Sequence, residues 1–175
     1  MTDNALIQRA EIFATQKHHG QVRKDAQKSP YITHPLALLR VLTEVGQVTD
    51  TATLCGALLH DTLEDTETSE QELTQEFGAE ITGIVMEVTD DKSLDKAVRK
   101  QRQIEHAAHI SVKAKLVKLA DKICNLRDIK SCPPVDWPLA RKQAYFDWAK
   151  AVVYALRGVN PALEAAFDEA FSARP

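Results

Sequence analysis

The chain has 175 residues, 44% of them hydrophobic and 27% charged, with a formal net charge of -3. That length and balance predict one folded domain with a sizeable core. The acidic pI near 6.1 argues against a general nucleic-acid surface or an anionic-membrane surface. No apolar run approaches a membrane span, and Met1 to Leu6 lacks the basic and apolar regions of a secretory leader. Cys55, Cys124 and Cys132 form no C-x-x-C pair, so a cytoplasmic protein with reduced thiols is expected.

Helical spacing dominates. Leu6, Ala10, Phe13 and Ala14 predict a first helix over about 4–18. A polar segment, 20–31, follows and contains Ser29-Pro30, which opposes helix continuation. Thr33 is the expected cap of a second helix, with Pro35 in its first turn and Leu36, Leu39 and Leu42 along it. Gly46 ends this helix. Asp50 is expected to cap a third helix, which runs through the apolar stretch Leu54 to Leu59 into His60-Asp61. Ser69 and Glu72 read as a capping box for a short helix ending at Phe77. Gly78 breaks the chain there, and Ile81, Ile84, Val85 and Val88 mark the next helix. After a polar turn at 89–93, helices are predicted over about 94–108, 111–128 and 139–156. The Pro-rich loop 132–138 precedes the last of these, and a tail helix begins at Pro161. No alternating strand pattern and no repeat is visible, so the predicted class is all-α, a compact multi-helix bundle.

The segment Leu58-Leu59-His60-Asp61-Thr62-Leu63-Glu64-Asp65 carries the strongest chemical signal. Imidazole and carboxylates beside a buried run need a partner, and a metal ion fits such a cluster. On a continuous helix, Glu64 lies one turn beyond His60 and Asp61, and Asp65 one turn beyond Asp61, so acid/base groups would stand beside the ligands. A lone His-Asp pair is weak, because such pairs arise by chance and a solvated helix end would look the same. Asp121 has a bland alternative too, an exposed i, i+3 ion pair with Lys118. His34 taken alone reads as a capping or core histidine. Together, His34, His60, Asp61 and Asp121 offer two nitrogen and two oxygen ligands from three helices, a set suited to a divalent ion such as Mn2+ or Fe2+ with open positions. Arg23 and Lys24 in the polar loop are either solvated or suited to phosphate.

Four ordered motifs carry a family resemblance: Gln21-Val22-Arg23-Lys24-Asp25, Pro30-Tyr31-Ile32-Thr33-His34-Pro35, the His60-Asp61 segment through Thr66, and Val117 to Asp128 with Lys118, Asp121 and Asn125. Tyr145-Phe146-Asp147-Trp148-Ala149 also fits. The chain resembles the HD-domain hydrolases of the RelA/SpoT family, and most of all the free-standing small alarmone hydrolases. The resemblance implies a single HD-type phosphohydrolase domain over 1–175. It also implies removal of the 3′-pyrophosphate from guanosine tetra- and pentaphosphate, giving GDP or GTP and pyrophosphate. One Mn2+ ion is implied, with Fe2+, Zn2+ or another divalent ion as alternatives, held by His34, His60, Asp61 and Asp121. Glu64 and Asp65 would orient or deprotonate the attacking water. Arg23 and Lys24 would contact the nucleotide, Asn125 and Tyr145 would line its pocket, and Lys122 joins this substrate-binding set. The expected partner is a small nucleotide, with no nucleic acid and no membrane, and the oligomeric state is open between monomer and homodimer. A second reading keeps the site but changes the substrate, as a phosphatase of another nucleotide such as NADPH. A third is a non-catalytic nucleotide-binding scaffold.

Overall fold

The computed structural model describes residues 3–175, so the leader reading at Met1 and Thr2 lies outside the described residues. Helix α3 (Thr51–Leu59) is the axis of the fold. Every residue from Ala52 to Leu59 is buried, and α1 (Asp3–Lys17), α2 (Thr33–Arg40), α5 (Glu70–Val88) and α7 (Val112–Ser131) all pack on it. A helix apolar on all sides has to sit inside such a shell. Gly56 permits the closest of these approaches, since a Cβ there would meet Ile84 Cγ2 at 2.7 Å. Asp50 caps α3 as predicted, its carboxylate accepting from Thr53 N at 2.8 Å.

Four local expectations are corrected. Thr33 is not the cap of α2. Ile32 holds that position with helical dihedrals, and Thr33 Oγ1 instead donates to Pro30 O at 2.7 Å. The second helix also does not run regularly to Val45. Residues Val41–Val45 form a π turn, closed by Gly46 N donating to Val41 O at 3.0 Å, and α9 (Pro161–Ser172) packs on this turn. The third helix does not pass through the His-Asp pair. It stops at Leu59, and a separate turn, α4 (Thr62–Asp65), begins after Asp61. The cause is competition for carbonyls: His60 Nδ1 donates to Ala57 O at 2.8 Å and Thr62 Oγ1 to Leu59 O at 2.7 Å. Those two acceptors would otherwise take the N–H groups of the next helical turn. The fourth concerns α7, which continues to Ser131 rather than ending at Asp128.

Other expectations hold. Ser69 Oγ accepts from Glu72 N at 3.1 Å at the start of α5, and Gly78 interrupts that helix with φ 82°. Such a positive φ strains any side chain but glycine. Helices α6 (Lys96–His106) and α8 (Leu139–Tyr154) lie against each other, with Trp148 Nε1 donating to Lys100 O at 3.1 Å. Among the described residues the only strand-like feature is an isolated antiparallel bridge between Val22 and Pro30, so the fold is an all-α bundle. That bridge pins the loop bearing Arg23 and Lys24 beside the start of α2, with Arg23 N donating to Ser29 O at 2.8 Å. No described helix is long and apolar enough to cross a membrane.

Candidate metal centre and active site

The end of α3, the start of α2 and the middle of α7 converge. They bring one ligand atom each from His34, His60 and Asp121 within 4.8 Å of one another. Asp61 adjoins this group through His60, whose Nε2 lies 2.9 Å from Asp61 Oδ2, but it falls outside the mutually close set of three. Tyr31 turns Asp61 by donating its hydroxyl to Oδ2.

The donor chemistry fits a divalent cation. His60 gives its Nδ1–H to the Ala57 carbonyl, which leaves Nε2 facing the cluster, buried and without an aligned hydrogen bond. His34 is buried with its Nδ1 unpartnered. A histidine whose second nitrogen is held by a backbone carbonyl is a pre-oriented ligand. The charges point the same way. Burial opposes a proton on His60, but the adjacent Asp61 carboxylate outweighs it and raises the imidazole to about 9. Burial pushes His34 the other way, below its ordinary value. Burial also disfavours ionised Asp121, yet Lys122 and then His34 hold it well below the usual carboxylate range. Without an added cation, the carboxylates draw positive charge from His60 and Lys122.

Around this centre lies a pocket of about 170 Å³, lined by Glu64, Lys118, Lys122 and Asn125 as well as the ligand candidates. A larger cavity of about 470 Å³ opens beside it, and Arg23, Lys24, Asn125 and Tyr145 all face that cavity with Trp137. Four of the five expected substrate residues therefore share one space. Lys122 differs: it is 4% exposed, bonds Asp121 Oδ2 at 2.9 Å and sits 4.4 Å above the Trp148 ring. Its place is behind a ligand candidate.

The carboxylates of α4 also separate. Glu64 lines the metal pocket, accepts from Asp90 N at 3.0 Å and lies 3.9 Å from Arg99. Burial lifts its carboxyl above the ordinary range, against the pull of that backbone N–H. Asp65 faces the larger cavity and pairs with Lys92. The short α4 turn and the bend at Asp61, with φ -102° and ψ 0°, send the two side chains to different spaces.

Several contributors were invisible in the sequence reading. Tyr31 orients Asp61, Asp128 braces Arg23 at 2.5 Å, and Asp90 holds Glu64, each from a distant segment. Tyr31 and Asp128 stood inside motifs that carry the family resemblance, which was their only signal. An exposed Lys118–Asp121 pair was the bland alternative for Asp121. Lys118 is 7% exposed instead, and the partner of Asp121 is Lys122. Burial first, and the Lys122 charge second, bring the Lys118 amine down to about 8.

The HD domain family matches residues 10–150 of the chain. This is an HD-domain protein. Its His60-Asp61 pair lies in the centre just described. The chain is 55% identical over 97% of its length to a guanosine-3′,5′-bis(diphosphate) 3′-pyrophosphohydrolase, MESH1, of Xenopus tropicalis, covering 95% of that protein. The human MESH1 of the same description is 48% identical, with 99% of this chain and 97% of that protein aligned. Among solved structures, that of a metazoan orthologue of SpoT that hydrolyses ppGpp superposes with a TM-score of 0.94 at 46% identity, covering 97% of this chain and 96% of the other. The superposition with that structure reaches beyond the matched 10–150 segment.

Proposed function

We infer that the chain is a metal-dependent hydrolase that removes the 3′-pyrophosphate of guanosine tetra- and pentaphosphate, giving GDP or GTP plus pyrophosphate. One observation carries this reading. The chain aligns almost end to end with pyrophosphohydrolases of that substrate, and its own ligand-rich centre opens into a cavity lined by Arg23 and Lys24. The whole chain, 1–175, acts as one phosphohydrolase unit on this proposal, in the cytoplasm, on a small nucleotide.

His34, His60, Asp61 and Asp121 would hold one ion, proposed as Mn2+ from the mixed imidazole and carboxylate set. When bound, the ion supplies Lewis-acid polarisation of the phosphoryl group and a more acidic water. The protein groups do the rest. Glu64, lifted by burial and fixed by the Asp90 N–H, accepts the proton of the attacking water. Asp65, on the nucleoside side of α4, orients the substrate edge of the site. Arg23, braced by Asp128 and lying 5.8 Å from the centre of the Tyr31 ring, offers its guanidinium to phosphate where the two cavities meet. Lys24, Asn125 and Tyr145 line the nucleoside cavity, and Tyr145 packs edge-on to Trp148 at 5.2 Å. Lys122 neutralises Asp121.

The test is a product assay with Mn2+-reconstituted protein and a panel of nucleotides. Stoichiometric GDP and pyrophosphate from guanosine tetraphosphate is the expected result. Orthophosphate release from NADPH, with the tetraphosphate untouched, would overturn the reading. Metal analysis after reconstitution with Mn2+, Fe2+ and Zn2+ decides the ion, and sedimentation velocity decides between monomer and homodimer.

A further inference from the structure

A second cavity, of about 180 Å³, lies on the far side of the metal pocket from Arg23 and Lys24. The two spaces share Asp90, Gln103 and Lys118, so Lys118 stands at the junction between them. Arg99 and Arg102 from α6 add two guanidinium groups to an outer wall that also carries Glu87, Asp90 and Asp91.

The acidic side chains in this wall are already engaged. Glu87 accepts from Ser111 N at 2.9 Å and from Ser111 Oγ at 2.5 Å. Asp90 accepts from Gln103 Nε2 at 2.7 Å, and Asp91 accepts from Ser93 N at 3.0 Å. The basic groups are not similarly engaged. Among the described residues Lys118 and Arg102 make no ion pair, and the only carboxylate near Arg99 is Glu64 at 3.9 Å. Arg99 Nε and Gln103 Oε1 are buried with no hydrogen-bond partner. Lys118 is 7% exposed and makes no ion pair among the described residues, the Asp90, Asp121 and Glu64 carboxylates attracting it only from beyond ion-pair distance, and an anion bound against it offsets the cost of its burial.

The proposed reaction produces such an anion, and this inference rests on that reading. Water adds to the phosphorus next to the ribose, the P–O3′ bond breaks, O3′ leaves with a proton and pyrophosphate is the second product. With the nucleoside in the larger cavity and the proximal phosphate at the metal centre, the terminal phosphate has to point away from both. We propose that the cavity beyond Lys118 receives the terminal phosphate of the 3′-diphosphate and holds pyrophosphate before it leaves. Lys118 contacts the phosphate at the junction, while Arg99, whose buried Nε–H has no partner, and the exposed Arg102 draw the product outward. The site thereby selects a 3′-diphosphate over a 3′-monophosphate.

The test measures inhibition of the Mn2+-loaded full chain by pyrophosphate and by orthophosphate, with Mn2+ in excess so that chelation does not contribute. Pyrophosphate should inhibit the wild type more strongly than orthophosphate does. Lys118→Met should raise the pyrophosphate inhibition constant by about tenfold or more, as expected for a lost charge-assisted contact. Arg102→Ala, on the exposed rim, should raise it by roughly threefold. Neither change should move the orthophosphate constant more than about twofold. Lys118→Met should also lower kcat/KM for the tetraphosphate more than for guanosine 5′-diphosphate 3′-monophosphate. Pyrophosphate constants unchanged in both variants, or equal inhibition by the two anions in the wild type, would overturn the assignment. Calorimetric binding of pyrophosphate to the same proteins reads the cavity without turnover. Failure of the wild type to release pyrophosphate therefore counts against the proposed function, and loss of the variant effect counts against the cavity.

Discussion

Replacing Lys122 with methionine keeps most of the buried stem and removes the ammonium that lies 2.9 Å from Asp121. The group is 4% exposed, so solvent cannot take over its role. Asp121 is left with His34 at 3.1 Å and Asn125 at 2.5 Å as its hydrogen-bonding neighbours, in a centre that also holds Asp61. Breaking a buried pair by removing one partner destabilises by about 3–5 kcal/mol. For a domain of this size each kcal/mol moves Tm by roughly 2–4 °C, so the metal-free variant should melt roughly 6–20 °C below the wild type. A divalent ion restores positive charge beside the same carboxylate, and binding to the folded state adds stability by mass action. Addition of Mn2+ should therefore raise the Tm of Lys122→Met more than that of the wild type and at least halve the gap. Differential scanning fluorimetry of chelator-treated and Mn2+-loaded samples measures both quantities. A loss under about 2 °C, or a gap unaltered by metal, would refute this account and return Lys122 to the substrate-contact role expected from sequence.

Four further outcomes are expected. His60→Ala and Asp61→Ala should each lose bound Mn2+ and activity together, and stoichiometric metal in both variants, read by elemental analysis, would remove these residues from the ligand set. Glu64→Gln should keep metal and substrate binding while turnover falls by roughly 10²-fold or more. Because burial raises the Glu64 carboxyl, the wild-type rate should fall with decreasing pH as this base is protonated, from a higher pH than an ordinary glutamate would show. That acid limb should flatten in the variant. Arg23→Ala should leave metal content intact and lower kcat/KM more for guanosine tetraphosphate than for p-nitrophenyl phosphate, and equal losses would make Arg23 a structural residue. Gly56→Ala should destabilise by about 1–3 kcal/mol in denaturant titration, because its Cβ would stand 2.7 Å from Ile84 Cγ2.

Much of the helix pattern is local in the sequence. The spacing of Leu6, Ala10 and Ala14, the Asp50 and Ser69 caps and the Gly78 break are local features, and local features survive into the fold because neighbouring residues decide them. His34, His60, Asp61 and Asp121 also stand out in the sequence as a candidate ligand set, since the ordered motifs carry their identities. Three of the four meet as a compact cluster, with Asp61 at its edge.

What lay beyond the sequence was direction and partnership. The end of α3 at Leu59 depends on which side chain reaches the Ala57 and Leu59 carbonyls, and that sends Glu64 to the pocket beside His60 and Asp61 and Asp65 to the larger cavity. The pairing of Asp121 with Lys122 rather than Lys118 follows from the Trp148 ring of α8, which covers Lys122 from a distant part of the chain. Lys118 is buried and faces two cavities, lined by residues of the 87–91 segment and of α6. Periodicity places a residue on a helix face, but burial and charge partners depend on which helices pack against that face. For this protein the sequence by itself determined the helices and the chemistry at hand. Only the tertiary packing decided that Lys122 pairs with Asp121 and that Lys118 faces two cavities.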